Sequence, residues 1–204
     1  MTRRFVDTLS YEKELLSSGY SLIAGMDEAG RGPLAGPVTA ACCIPDLSSV
    51  IDGVDDSKKL TEKKREALFD IITDNAIGYS VVNVENSDID NINILNATKK
   101  AMSEAVNTIF PYPQYLLVDA VKYDFGVPYK AIIHGDALSY SIAAASIIAK
   151  VTRDRLMTQY AEQFPEYGFE RHKGYGTKEH IEAIKKYGPC PIHRMTFIKK
   201  FLEE

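Results

Sequence analysis

No apolar run in this 204-residue chain approaches the roughly 18 residues that a membrane span needs, so the sequence offers no transmembrane helix. The first stretch, MTRRFVDTLSYEKELL, has no apolar h-region and carries acids early, so a signal peptide is not expected. Cysteine is scarce: Cys42, Cys43 and Cys190 are too few for a disulfide framework. Strand neighbours point to opposite faces, so Cys42 and Cys43 are poor mutual partners, and buried thiols in a reducing cytoplasm are the plain reading. Net positive charge is also lacking. A formal charge of -4 and a pI near 5.6 argue against holding nucleic acid through overall charge. A polyanion partner therefore requires local basic patches. The candidates are DSKKLTEKKR at 56–65, RHKGYGTK at 171–178 and the lysine pairs 185–186 and 199–200. Residues 62–65 read first as a solvated helix face. Repeats, low-complexity tracts and linkers are absent, while 45% hydrophobic residues suffice for a substantial core.

The order of elements follows from periodicity and punctuation. A first helix is expected over residues 4–17, stopped by Gly19. YSLIAGMD and GPVTAACCI read as strands whose short link makes an antiparallel pair. Thr61 caps a helix to about Asn75, IGYSVVNVE is a strand, and a helix covers roughly 91–109. QYLLVDA has the pattern of a buried central strand ending in Asp119, and YKAIIHGD is one more short strand. A single long helix is expected from Asp136 to about Phe164, then a loop with RHKGYGT, a helix capped by Thr177, and a terminal helix in HRMTFIKKFLEE. The fold class is α/β, a mixed sheet flanked by helices.

The chemistry-bearing stretch is GMDEAGRGPLAGPV, residues 25–38, where two acids lead into a glycine loop with one arginine. A dinucleotide site fails on glycine spacing and on the strand, rather than helix, that follows. A P-loop fails for want of Gly-Lys-Ser/Thr. The four histidines show no zinc-ligand spacing. What remains is a set of carboxylates at element ends: Asp27, Asp119 and Asp136. If the strands ending in Asp27 and Asp119 are neighbours, these acids converge, and their mutual repulsion calls for a hard cation, Mg²⁺ or Mn²⁺. Taken singly, Asp136 is equally a helix N-cap and Asp119 a turn residue. Glu28 cannot share a face with Asp27 on a regular strand. Either the chain turns at Gly30, the favoured solution, or Glu28 contributes its main-chain carbonyl.

Together GMDEAGRGPLAGPV, DSKKL, YLLVDA, GDALSYSIAAASIIAKVTRD and HKGYGT resemble the ribonuclease HII family over about residues 21–197. The GRG loop sides with type HII rather than HIII. The resemblance implies a ribonuclease H-like fold with a C-terminal helical part. It divides the chain into an N-terminal helical extension, 1–20, and a catalytic domain, 21–204. It implies hydrolysis of the RNA strand of RNA/DNA hybrids and cutting 5′ of single ribonucleotides in duplex DNA. The products would carry 3′-hydroxyl and 5′-phosphate ends, and the biology would be ribonucleotide removal. By motif position Asp27, Glu28, Asp119 and Asp136 would be the catalytic, metal-binding acids of a two-ion mechanism with Mn²⁺ or Mg²⁺.

Within that resemblance, Gly30-Arg31-Gly32 and Tyr175 of the GYG motif would read the 2′-hydroxyl and the RNA–DNA junction. Arg31, Lys58, Lys173 and Lys178 would contact phosphates. Arg153 and Asp154 read as structural, and SIAAAS as close contact between elements. A monomer acting on RNA/DNA hybrid and ribonucleotide-containing duplex, away from membranes, is expected. A binding protein with a decayed site is disfavoured because all four acids are present. A metal-independent glycosidase is separated by its indifference to chelator.

Overall fold

A computed structural model of the protein describes residues 7–202. Its elements in chain order are α1 (Ser10–Ser17), β1 (Ile23–Ala29), β2 (Val38–Ile44), α2 (Glu62–Asn75), β3 (Gly78–Val84), α3 (Asn86–Thr108), β4 (Tyr115–Asp119) and β5 (Tyr129–Ile132), then α4 (Gly135–Leu138), α5 (Tyr140–Gln163), α6 (Phe169–His172), α7 (Lys178–Tyr187) and α8 (Met195–Leu202). Residues 4–6 of the expected first helix lie outside the described residues, and residues 7–9 are not helical: α1 begins only at Ser10. The five strands form one mixed sheet in the order β3-β2-β1-β4-β5. β1–β2 and β2–β3 are antiparallel, whereas β1–β4 and β4–β5 are parallel.

The two-residue pleat sorts the core. Ala24, Met26, Cys42, Leu116 and Val118 face α3, whereas Ala41 and Cys43 meet α2 and α5 on the other side. The adjacent cysteines thus lie on opposite faces, buried and free, and burial pushes Cys43 up to about 12. Thr61 Oγ1 accepts from Lys64 N, and Thr177 Oγ1 accepts from His180 N, so both expected caps are made. No helix among the described residues is long and apolar enough to cross a membrane.

Two expectations require correction. The helix expected at 91–109 begins earlier, at Asn86, because a kink at Asn93 (φ 65°) joins two helical pieces. The long helix expected from Asp136 is broken: Ser139 is extended (φ −128°, ψ 127°), ending α4 and capping α5. Its hydroxyl accepts from Ile142 N, a hydrogen bond that a continuous helix has no use for. The break leaves Asp136 on its own four-residue turn.

Candidate active site

Parallel pairing of β1 with β4, in the register Met26↔Val118, brings the residues that follow, Asp27 and Asp119, to the same sheet end. Asp136 reaches this point from α4, and Gly135 N donates to Asp119 Oδ1 at 2.7 Å. Oxygen atoms of Asp27, Asp119 and Asp136 lie within 4.8 Å of one another. Asp27 and Asp136 are nearly sealed from solvent, at 4% and 5% exposure. The N-cap of α4 is His134, in a left-handed conformation, so Asp136 is not a cap. Its Oδ2 instead accepts from Lys58 Nζ at 3.0 Å.

Burial, reinforced by Glu28 and Asp119, holds Asp27 well above the usual carboxylate range. Burial also raises Asp119, against the opposing hydrogen bond from Gly135. Lys58 is desolvated, which favours its neutral form, but its hydrogen bond to Asp136 and the surrounding acids outweigh this and raise it. Three converging, desolvated oxygen donors suit a hard divalent cation.

Glu28 stays outside this trio. β1 remains in register with β2 through Ala29↔Thr39, so the chain turns only at Gly30 (φ +93°), after Glu28 has already been placed on the opposite pleat. The turn does not swing Glu28 onto the face of Asp27. Glu28 Oε1 accepts from Arg31 Nη1 at 3.3 Å, and its buried Oε2 has no hydrogen-bond partner among the described residues. Burial raises Glu28 as well, with Arg31 opposing. An acceptor oxygen buried without a donor at the rim of an acid trio is a further feature that suits a cation nearby.

A cleft of about 200 Å³ joins these acids to the glycine loop, with Ser57, Lys58, Ser146, Lys150 and Tyr175 on its walls. The ring of Tyr175 lies close to Gly32: a Cβ built there would sit 3.6 Å from Tyr175 Cε1. Lys150 Nζ lies 6.0 Å from the Tyr175 ring centroid and donates to Asp154 at 2.7 Å. Ser146 closes the SIAAAS segment, which reads as close contact between elements, and Lys150 lies one helical turn beyond it; their i, i+4 spacing on one helix face is the signal that exposes them. Lys173 and Lys178 do not line the cleft. Lys173 Nζ donates to Thr158 Oγ1 and Glu170 O, and Lys178 faces Glu182 on α7.

The glycine loop is held from beneath by two buried arginines. Arg153, read as structural, donates to the carbonyls of Pro37, Ala35 and Lys173. Arg194 donates to the carbonyls of Gly30, Arg31, Pro33, Gly36 and Pro37 over 2.5–3.0 Å. Both are about 1% exposed or less, and burial lowers them to about 10 and about 9. Nothing in the local sequence around Arg194 announces this role. Gly30 is required here: a Cβ would stand 2.1 Å from Arg153 Nε. Beyond Tyr175, the His180 Nδ1 is 2.9 Å from the Tyr175 carbonyl, and His180 Nε2 is 3.0 Å from His193 Nε2. Burial lowers both rings to about 4, so they pack as neutral imidazoles.

A mixed sheet with carboxylates gathered where adjacent parallel strands end, beside a glycine loop backed by arginines, defines a carboxylate-centred hydrolase of the ribonuclease H-like fold. The family model for Ribonuclease HII matches residues 24–200. The Ribonuclease HII of Acetivibrio thermocellus is 58% identical over 200 residues, covering 98% of this chain and 78% of that protein. That of Ruminiclostridium cellulolyticum is 53% identical over 201 residues, covering 98% and 79%. The crystal structure of the ribonuclease H2 from Pyrococcus horikoshii superposes with a TM-score of 0.76 at 32% identity, covering 89% of this chain and 97% of that one. The chain belongs to the ribonuclease HII family, and it is a nuclease with ribonuclease H activity on RNA/DNA hybrids; its cluster of Asp27, Asp119 and Asp136 is consistent with use of a divalent metal.

Proposed function

We propose that the enzyme cuts duplex DNA on the 5′ side of a single embedded ribonucleotide as well as longer RNA/DNA hybrids, leaving 3′-hydroxyl and 5′-phosphate ends. The observation that carries this reading is that Gly30, Arg31, Gly32 and Tyr175 line the same cleft as Asp27 and Asp119.

Asp27, Asp119 and Asp136 would hold the divalent cations, Mn²⁺ or Mg²⁺, with Glu28 completing the set from the other pleat. Two bound ions would supply an attacking water of lowered pKa and charge neutralisation at the departing 3′ oxygen. The rest is the work of the chain. Arg194 takes the carbonyls of Gly30 and Arg31 inward. Each peptide is planar and trans, so the N–H groups of Arg31 and Gly32 point away from Arg194 and would be free to meet a 2′-hydroxyl. Tyr175, at 44% exposure, offers a ring face for the next sugar, which in a junction is deoxyribose. Lys58 and Arg31 neutralise Asp136 and Glu28 in the free protein. With cations bound, both side chains would turn to phosphates, Lys150 would flank them, and the exposed Lys178 and the neighbouring Lys173 would meet the backbone farther along the duplex.

The test is cleavage of a DNA duplex containing one ribonucleotide, with Mn²⁺ or Mg²⁺, against an all-DNA control and a long hybrid. Metal-dependent cutting just 5′ of the ribonucleotide is expected. Cutting confined to the long hybrid would remove the junction roles of the loop and Tyr175.

A further inference from the structure

We infer that Glu12, on the N-terminal helix, is a positioning residue for Asp136, acting through the break between α4 and α5. The inference rests on the reading of Asp136 as a cation-holding carboxylate. Glu12 is an acid at 0% exposure. Its Oε1 accepts from Ser139 Oγ at 2.6 Å and from Ser141 N at 2.9 Å, across 127 and 129 positions of sequence. Thr8 O accepts from Tyr140 N at 2.8 Å. The first four amides of a helix have no intrahelical partner. In α5 Tyr140 N and Ser141 N are satisfied by the segment around α1 and Ile142 N by the Ser139 hydroxyl, while Ala143 N makes the first regular helical bond, to Ser139 O.

The four-residue turn carrying Asp136 is therefore pinned at both ends. At its start Gly135 N is held by Asp119, and at its close Ser139 N donates to Gly135 O while its hydroxyl is held by Glu12. The same junction lies hard against β1: a Cβ at Gly25 would stand 2.0 Å from Ser141 C and O. Gly25 is two residues before Asp27. One buried contact thus sets the distance between the strand that bears Asp27 and the turn that bears Asp136. Without Glu12, Ser141 N at the start of α5 would be uncapped and Ser139 would lose its anchor, so the trio would no longer be held within 4.8 Å.

The experiment is calorimetric titration of Mn²⁺ into the substrate-free protein, with kcat and KM for a hybrid measured alongside. Supporting residues behind metal ligands typically cost 10–100-fold in affinity when removed, so Glu12→Ala is expected to weaken Mn²⁺ binding about tenfold or more. It should lower kcat while leaving KM for the hybrid within about twofold of wild type, because no phosphate contact is touched. Glu12→Gln keeps the accepting oxygen and should restore binding. Val106→Ala, a cavity on the α3 face of the sheet, serves as a control for general destabilisation. Wild-type Mn²⁺ affinity in Glu12→Ala, or an equal loss in Val106→Ala, would overturn the inference. If Glu12→Ala does not fold, Glu12→Asp carries the test: it keeps the carboxyl group but withdraws the oxygens by one methylene, and unchanged affinity overturns the inference. Asp136→Asn separates the two levels. If it binds Mn²⁺ like wild type, Asp136 is no ligand and the underlying site reading fails, whatever Glu12 does.

Discussion

Replacing Arg194 by methionine keeps an unbranched side chain of similar reach and removes every donor. Among the described residues only the Pro37 carbonyl has a second side-chain donor, Arg153 Nε. The carbonyls of Gly30, Arg31, Pro33 and Gly36 would be left without one. Stranding a buried acceptor costs about 1–3 kcal/mol, and loop relaxation toward solvent favours the low end, so a loss of about 4 kcal/mol is expected. For a domain of this size each kcal/mol lowers Tm by roughly 2–4 °C, giving a drop of about 8–16 °C. Urea unfolding followed by far-UV circular dichroism should show a lower midpoint at unchanged m. Because the same carbonyls orient the loop amides, cleavage measured well below the unfolding transition should fall more than tenfold. Arg194→Lys should be intermediate, since one ammonium has three donors and lacks the planar fork. A stability loss under about 1 kcal/mol would refute the stranded-carbonyl reasoning. Full activity in a destabilised variant would refute the link from carbonyls to loop function.

Asp27→Asn should abolish cleavage while retaining hybrid binding; unimpaired cutting would contradict the assignment of Asp27. The same variant reports on pH. Burial and like charges raise Asp27 above its ordinary 3.8, so the native state holds a proton that the unfolded chain has released, and stability falls as pH rises through the raised value. His180 and His193, lowered from 6.5 to about 4, act in the opposite sense between those values, but both proteins share them. In chelator, Asp27→Asn should therefore gain in Tm over wild type as pH rises, and added Mn²⁺ should abolish that gain; a pH-independent difference would refute it. Tyr175→Ala should impair single-ribonucleotide cutting more than cutting of long hybrids, and equal losses in parallel assays would remove its junction role. Gly25→Ala drives a methyl into Ser141, so a cost of about 1–3 kcal/mol or more is expected by urea unfolding. A change lost in measurement error would show that β1 and α5 can separate freely.

Local rules carried the sequence a long way. Alternation placed Cys42 and Cys43 on opposite faces, Thr61 and Thr177 announced their helices, and apolar runs ending in acids marked Asp27 and Asp119 as strand-end carboxylates. These follow from the period of the pleat and the orphan amides of a helix start, which act within a few residues. The motifs were dense enough for the family to be legible as well. What tertiary structure alone decided was which ends meet. The parallel β1–β4 pairing put Asp27 beside Asp119, and the continued β1–β2 register kept Glu28 on the other pleat. The break at Ser139 depends on a carboxylate 127 positions away, and the loop at Gly30 on an arginine 164 positions away. Helical propensity in residues 136–164 has no access to either partner, because an interaction that becomes worthwhile only when water is excluded exists only after the chain has closed on itself.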